Sequence, residues 1–320
     1  MHPLLIVALS VLGVALVGSL GFAYYAFRTA FYHSERAKRT EPRFSRGEQY
    51  LPLHEQMRAM VRDLKDVPCE EISIRSHDGK TLFARYYHVA DGAPLQIQAH
   101  GYRSWSIHDF SGGTSMAREM GHNVLLVDQR SHGKSEGNVI TFGLLERYDL
   151  LAWVNYAVER FGKGTPIFLS GISMGAATVL MCSALELPES VVGIIADCPY
   201  SSPKEIMQKV CRDRGLPSGL AYPFLRLGAR LYGGFCLSEE GPITAVKNAK
   251  VPLLVIHGED DRFVPCDMSR RICEASPSRV MLETFPEAGH GISYLVDKER
   301  YRCLTESFVR SCLEKRNCGA

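Results

Sequence analysis

The feature that most constrains the fold is a short turn around Ser173. The apolar run Pro166 to Ser170 has the length and composition of a buried strand, and Ala176 to Cys182 has those of a helix. Between them stands Gly171-Ile172-Ser173-Met174-Gly175, which puts a serine at the apex of a sharp strand-to-helix turn. The serine hydroxyl then lies at a helix N-terminus, where free N–H groups favour a developing negative charge. This context predicts a nucleophilic serine.

A serine hydroxyl is a weak nucleophile at neutral pH, so it requires a general base and an acid that orients the base. With a turn of this kind, the acid follows the serine along the chain and the histidine follows the acid. Only His257 and His290 follow Ser173, and His257 precedes the acids of its own loop, so the predicted base is His290. Spacing alone leaves three acid candidates, each after a predicted strand: Asp260, Asp261 and Asp197.

Strand and helix patterns alternate along most of the chain. A hairpin over residues 71–87 is followed by six short apolar runs typical of buried strands, with helical segments between them. This alternation predicts an α/β fold, a mostly parallel sheet with helices on both faces, which binds ligands at the carboxyl ends of its strands. We expect the domain over residues 67–316. An insertion at about 198–248 is expected to form a small helical cap over an apolar pocket above Ser173.

Residues 4–27 contain no charged side chain. At about 1.5 Å per residue, a helix of this length exceeds the roughly 30 Å hydrocarbon core of a bilayer, so we expect a single membrane-spanning helix. A cleaved signal peptide is the alternative, although the apolar run is longer than a typical signal sequence and no Lys or Arg precedes it. Residues 28–66 are expected to link the span to the folded body.

Positive charge follows the expected span. Six basic residues lie over 28–46: Arg28, Arg36, Lys38, Arg39, Arg43 and Arg46. By the positive-inside rule, this charge favours a cytoplasmic body, and the opposite orientation stays open. The ten cysteines have no C-x-x-C spacing, which agrees with a reducing compartment.

The overall composition excludes some partners. The net charge of +2 is accounted for by residues 28–46, so the rest of the chain offers no general attraction for nucleic acid. The sequence contains no phosphate-binding loop, dinucleotide fingerprint or metal-ligand motif. We therefore expect no cofactor and no metal.

Several motifs together resemble the α/β-hydrolase superfamily: Gly171-Ile172-Ser173-Met174-Gly175, His100-Gly101-Tyr102, the run from His257 to Pro265, Gly289-His290-Gly291, and the turn from Asp128 to Ser135. The resemblance covers roughly residues 70–315 and is closest to bacterial hydrolases, esterase-like or peptidase-like, with an N-terminal membrane segment and a compact cap. It implies Ser173 as nucleophile and His290 as base. Through the pattern H-G-x-x-D-x-x-V-P, it implies Asp261 rather than Asp260 as the acid.

The resemblance also implies an oxyanion hole formed by the backbone N–H groups of Tyr102 and Met174. The segment reads His-Gly-Tyr-Arg here, not the His-Gly-Gly-Gly of some lipases and esterases, so Tyr102 would place a large side chain beside the reacting centre. Arg103, which follows it, would either bind a substrate carboxylate or lie in solvent.

Taken together, the motifs predict a membrane-anchored serine hydrolase that cleaves an ester or related acyl bond through an acyl-serine intermediate. The expected substrate is a small-molecule ester, a lipid or a short peptide. Two alternatives stay open. An aminopeptidase-like or acylpeptide hydrolase would use the same chemistry on an amide, and a non-catalytic binding protein would use the same fold without the chemistry.

Overall fold

The computed structural model of the protein describes residues 3–38, 41, 44–237 and 240–318. Its strands are β1 (Glu70–Arg75), β2 (Thr81–Tyr87), β3 (Leu95–Ala99), β4 (Asn123–Asp128), β5 (Ile167–Ile172), β6 (Val191–Asp197), β7 (Leu253–Gly258) and β8 (Val280–Phe285). Its helices are α1 (Pro3–Ala30), α2 (Glu35–Lys38), α3 (His54–Lys65), α4 (Ser106–Glu119), α5 (Glu146–Phe161), α6 (Met174–Cys182), α7 (Pro203–Asp213), α8 (Ser218–Tyr232), α9 (Pro242–Ala245), α10 (Asp267–Ala275), α11 (Ser293–Val296) and α12 (Lys298–Cys318). Short 3₁₀ helices occupy Leu51–Leu53 and Val246–Asn248.

The strands form one eight-stranded sheet in the order β1-β2-β4-β3-β5-β6-β7-β8. The strands β1 and β2 pair antiparallel, β2 pairs antiparallel with β4, and the remaining pairs are parallel. The strands β4 and β6 are buried along their whole length, as their continuous apolar sequences require of strands covered on both faces. The predicted α/β fold with a mostly parallel sheet is confirmed.

Helices cover both faces of the sheet. On one face, α5, α6 and α10 bury residues such as Trp153, Leu180 and Ile272 against the strands. On the other face, α4 and α12 contribute Met116 and Phe308 to a second cluster. Because the parallel strands all point the same way, the loops after β3, β5, β7 and β8 meet at one edge of the sheet.

The segment between β6 and β7 contains α7, α8 and α9. Helix α7 begins where Ser202 accepts a hydrogen bond from the Glu205 amide (3.2 Å), with Pro203 at its first position. A third apolar cluster joins these helices to the end of α1: Ile206, Tyr222 and Leu225 pack with Phe27 and Phe31. Residues 238 and 239, part of the expected cap, lie outside the described residues.

Helix α1 is the one helix of the described residues that is long and apolar enough to cross a membrane. It extends beyond the expected span, and residues that follow it pair with the body, since the Ile140 amide donates to the Phe31 carbonyl (2.8 Å). Further along, α3 buries Leu64 against α4. Of the expected linker, residues 39, 40, 42 and 43, which include Arg39 and Arg43, lie outside the described residues.

Candidate active site

Ser173 lies between β5 and α6 with φ 54° and ψ −115°, a conformation that residues with a side chain rarely adopt. Glycine on either side makes the turn possible. A Cβ atom at Gly175 would overlap the Ala99 carbonyl of β3, and one at Gly171 would overlap the backbone of Gly175. The turn therefore presents the Ser173 hydroxyl above the carboxyl end of β5.

The structure brings Ser173, His290 and Asp261 together. The Ser173 Oγ atom lies 2.8 Å from His290 Nε2, and His290 Nδ1 lies 2.7 Å from Asp261 Oδ2. Neither of the other two acid candidates is hydrogen-bonded to His290 among the described residues. Asp260 is exposed, and Asp197 is buried with its Oδ2 atom accepting a hydrogen bond from the Tyr301 hydroxyl (3.1 Å).

The Asp261 carboxylate is fixed on both of its oxygens. Its Oδ1 atom accepts hydrogen bonds from the amides of Phe263 (2.9 Å) and Val264 (2.8 Å), while Oδ2 also lies 3.2 Å from Nε2 of the buried His257. Burial opposes the ionisation of Asp261, but the charge and hydrogen bonds of His290 and His257 outweigh it and hold the pKa of this carboxyl below its usual range. The group facing His290 is thus an anion at neutral pH.

The amides of Tyr102 and Met174 lie beside Ser173. Met174 opens α6, and amides in the first turn of a helix have no acceptor within it. The backbone amides on either side of Tyr102 already have acceptors. The Gly101 amide donates to Asp109 Oδ2 (2.7 Å), and the Arg103 amide donates to His132 Nε2 (2.9 Å). Within the described residues, we find no acceptor for the Tyr102 amide itself.

Sequence reasoning missed three residues that hold this site. Asp109 on α4 and His132 after β4 fix the loop that carries Tyr102. Asp109 belongs to no recognisable motif, and the Asp128–Ser135 motif that contains His132 assigns it no role. His132 can accept because burial keeps its pKa well below the usual value, so the ring is neutral and its Nδ1 donates to the Arg130 carbonyl (2.9 Å). Tyr50 donates its hydroxyl to the His290 carbonyl (3.0 Å) from a segment where the sequence pattern says little.

Arg103 is exposed to solvent, as one of the two expectations had it, and it also has partners within the protein. Its Nη2 atom donates to the carbonyls of Thr29 and Tyr32, both at 2.9 Å, and the Tyr102 hydroxyl donates to the Ala30 carbonyl (2.8 Å). Thr29 and Ala30 are the last residues of α1 and Tyr32 follows it closely. The partial negative charge of a helix C-terminus attracts a cation such as Arg103. Arg103 therefore ties the end of α1 to the loop beside Ser173.

Two cavities meet at Ser173. The first, which we call the α4 cavity, has a volume of about 350 Å³ and a mixed polar and apolar lining that includes Tyr50, Asp109 and Asp197. The second, which we call the cap cavity, measures about 290 Å³ and is mostly apolar. Its walls come from three places: α7 and α8, the loops beside Ser173, and the last turns of α1.

One set of potential metal ligands lies at the site. The Cys198 thiol approaches Asp261 and His290 closely enough for the three to share an ion. Burial raises the pKa of Cys198 well above its usual value, so the group is a neutral thiol and not the thiolate that binds zinc. The carboxylate and ring are also already paired with each other, so the residues present do not fit a metal centre.

Comparison with known sequences identifies the family. The profile of the Alpha/beta hydrolase family matches residues 99–301, more than half of the chain. The uncharacterized protein YqkD of Bacillus subtilis is 28% identical over 192 residues, which cover 60% of this chain and 63% of that protein. The lysophosphatidylserine lipase ABHD12 of Mus musculus is 27% identical over 173 residues, covering 50% of this chain and 39% of the lipase. The chain thus spans less than two thirds of these relatives.

Comparison with solved structures agrees on the fold. The Pyrococcus furiosus esterase Pf2001 aligns with a TM-score of 0.64 at 23% identity, covering 85% of this chain and 97% of the esterase. Est1E of Butyrivibrio proteoclasticus, solved with ferulic acid bound, aligns with a TM-score of 0.56 at 21% identity, covering 76% and 99%. At these identities the likeness establishes a common fold and no more.

Proposed function

Because the chain belongs to the alpha/beta hydrolase family, we propose that it is a serine hydrolase that cleaves a carboxylic ester or related acyl bond. The observation that carries the proposal is the continuous contact from Ser173 Oγ to His290 Nε2 (2.8 Å) and from His290 Nδ1 to Asp261 Oδ2 (2.7 Å). A nucleophile, a base and an orienting carboxylate are the parts that acyl transfer requires.

In the proposed reaction, Ser173 Oγ attacks the acyl carbon as His290 Nε2 takes its proton. The amides of Met174 and Tyr102 stabilise the oxyanion of the tetrahedral intermediate. The intermediate collapses, the leaving alcohol receives the proton from His290, and the acyl group stays on Ser173. Water then attacks the acyl-serine with the same proton transfers and releases the carboxylic acid. Asp261 remains ionised and holds His290 with its proton on Nδ1.

The lining of the two cavities supports an acyl substrate. The cap cavity has the apolar walls that an acyl chain requires, and the α4 cavity offers hydroxyl and carboxylate groups to a polar alcohol. We assign the acyl chain to the cap cavity and the leaving alcohol to the α4 cavity. Relatives named as esterases and as a lysophosphatidylserine lipase agree with ester or lipid substrates.

We further propose that α1 is retained as a membrane anchor and is not removed as a signal sequence. The reason is packing. Phe27 near the end of α1 and Phe31 just after it are buried against the cap, and Ala26 and Ala30 line the cap cavity. Cleavage after the apolar run would remove Ala26 and Phe27 from the apolar core and open the proposed acyl pocket.

The test is covalent labelling of the full-length protein by a fluorophosphonate. We expect the unsubstituted protein to label, and Ser173→Ala and His290→Ala to fail to label while keeping the same melting temperature. Activity should then be compared on a p-nitrophenyl ester and the matching p-nitroanilide, since faster anilide cleavage would favour a peptidase. A folded protein that does not label would refute the proposed mechanism.

A further inference from the structure

Helix α1 crosses the cap helix α8 in close contact. The rings of Phe22 and Phe224 lie edge to face with their centroids 4.8 Å apart, and the Tyr232 hydroxyl donates to the Leu20 carbonyl (3.2 Å). At the crossing, Gly228 has no side chain, and a Cβ there would overlap the carbonyl of Ala23. From Leu20 onward, α1 therefore lies against the protein on one side.

The end of α1 is also fixed to the body. The Tyr102 hydroxyl and the Arg103 guanidinium hold the carbonyls of its last turn, and the Phe31 carbonyl accepts from the Ile140 amide. A helix held both by the cap and by the loop beside Ser173 cannot tilt independently of the domain. The depth of α1 in a bilayer therefore sets the depth of the cap.

The uncharged run of α1 extends into its contact with α8. It continues from Leu4 to Phe27, and the first charged residue, Arg28, comes more than two turns after Leu20, where the contact with α8 begins. An uncharged apolar run of this kind is what a bilayer core accommodates. When the whole run lies in the bilayer, the residues that touch α8 lie there too, which brings α8 to the level of the lipid.

The outer face of α8 has the composition of a surface that lies in lipid. Leu220 is 71% exposed and Leu231 is 51% exposed, on the same helix as the half-buried Phe224 that contacts α1. Arg226 and Arg230 are exposed on this helix and can extend their guanidinium groups to the phosphate level. An amphipathic helix of this kind is typical of proteins that lie in the membrane interface.

Most of the exposed lining of the cap cavity lies on the same side, with Phe263 beside His290 as the exception. Among its lining residues, those that keep exposed surface include Phe22 and Tyr25 on α1 and Arg214 and Leu216 just before α8. These four frame a mouth between the membrane helix and the cap, next to the outer face of α8.

We propose that α8 lies within the lipid leaflet, and that the cap cavity takes its acyl chain laterally from that leaflet, between α1 and the start of α8. The substrate class that fits is a single-chain acyl ester residing in the membrane. The inference rests on the proposed hydrolase activity and the proposed span, and it adds that the cap is itself a lipid-binding surface continuous with α1.

Tryptophan fluorescence tests the depth of α8 without relying on activity. Leu220→Trp and Leu231→Trp are compared with Val89→Trp, at an exposed position in the loop before β3, and with the unsubstituted protein, all full-length in phosphatidylcholine vesicles. With lipids brominated on their acyl chains, we expect blue-shifted emission and loss of intensity at 220 and 231 only. Leu220→Trp emission that matches Val89→Trp in vesicle-bound protein would overturn the proposal, as would protein that does not bind vesicles.

A second comparison separates this surface from the catalytic proposal. Leu220→Glu should reduce hydrolysis of a long-chain monoacyl ester in vesicles by about tenfold or more, because the leucine contact with lipid is lost. Its rate on p-nitrophenyl butyrate in solution should stay within about twofold of the parent, with Val89→Glu unchanged on both substrates. Equal loss on both substrates, or loss on neither, would refute lateral uptake. An unsubstituted protein inactive on both would instead refute the hydrolase, while the fluorescence result stands independently.

Discussion

Replacing Asp261 with asparagine should disable the proposed base while leaving the geometry of the site in place. The amides of Phe263 and Val264 both donate to the Oδ1 position, so the asparagine carbonyl oxygen is held on that side. Its NH₂ group must then face Nδ1 of His290, which can only accept, and the ring proton moves to Nε2. That nitrogen, 2.8 Å from Ser173 Oγ, would carry a hydrogen where it must accept one.

The expected size of the effect follows from this tautomer. A base locked with its proton facing the nucleophile loses about 10⁴ in kcat. At about 1.36 kcal/mol for each tenfold step, this is roughly 5 kcal/mol of transition-state stabilisation. Binding of the ester should change little, because neither cavity lining includes Asp261. The loss should therefore appear in kcat and not in KM.

The chain supplies a matched control one residue away. Asp260 has the same side chain in the same loop but is exposed, and its only hydrogen bond among those described is from its backbone amide to the Ala288 carbonyl. We expect Asp260→Asn to keep kcat within about twofold, as surface substitutions usually do. The assay is steady-state hydrolysis of a p-nitrophenyl ester, with melting temperatures to confirm folding. If Asp260→Asn is the slower variant, or if both stay within tenfold of the parent, the assignment of Asp261 is refuted.

Three further predictions concern burial. Burial raises the pKa of Asp197 to about 6, so the folded state holds this proton more tightly than the unfolded state. The resulting stabilisation is lost as pH rises from the unfolded pKa through 6. Melts at pH 4 and pH 7 should therefore show Asp197→Asn gaining about 2 kcal/mol relative to the parent. Removing residues 1–19 should weaken membrane binding at an unchanged melting temperature. Removing residues 1–31 should destabilise the fold by at least about 3–5 kcal/mol, the cost of losing one buried aromatic side chain, because it deletes both Phe27 and Phe31; equal melting temperatures would contradict the packing of α1. Ala26→Trp should fill the cap cavity, so KM for a dodecanoate ester should rise about tenfold or more with acetate unaffected, and a uniform change across chain lengths would place the acyl chain elsewhere.

The elements nearest Ser173 could be predicted because their signals are local. The apolar run before the serine, the glycines around it and the helix after it are all read within about 20 residues, and the structure has β5 and α6 there. The order of nucleophile, acid and histidine along the chain likewise predicts His290 as the base without any distance. Choosing between Asp260 and Asp261 from spacing alone was not possible, because successive side chains in a loop diverge by an amount set by its backbone conformation. The hydrogen bonds from the Phe263 and Val264 amides that orient Asp261 form only once that loop is folded.

The residues that hold the loop beside Ser173 could not be predicted from the sequence, for a different reason. Asp109, His132 and Arg103 act through hydrogen bonds to backbone groups of other segments, and a backbone partner leaves no trace in the sequence. Their residue types suit many roles, since an aspartate early in a helix or a histidine in a turn is common without any function. Their role becomes visible only in the folded structure. There α4, the turn after β4 and the end of α1 all approach the loop that carries Tyr102.

The same limit explains why the end of α1 could be recognised as apolar but not assigned a partner. Hydropathy is equal for a side chain that faces lipid and one that faces protein, so the uncharged run over 4–27 predicts a span and is silent about where lipid contact ends. A surface that packs against protein differs from one that faces lipid in the fit of its side chains to a partner. Here the fit depends on two small residues, Ala23 and Gly228, which permit the two backbones to touch. They lie 205 positions apart in the sequence. A charge such as Arg28 marks the point where the helix must reach water or a polar surface. The point where it joins the fold is set by packing, and it comes about two turns earlier, at Leu20.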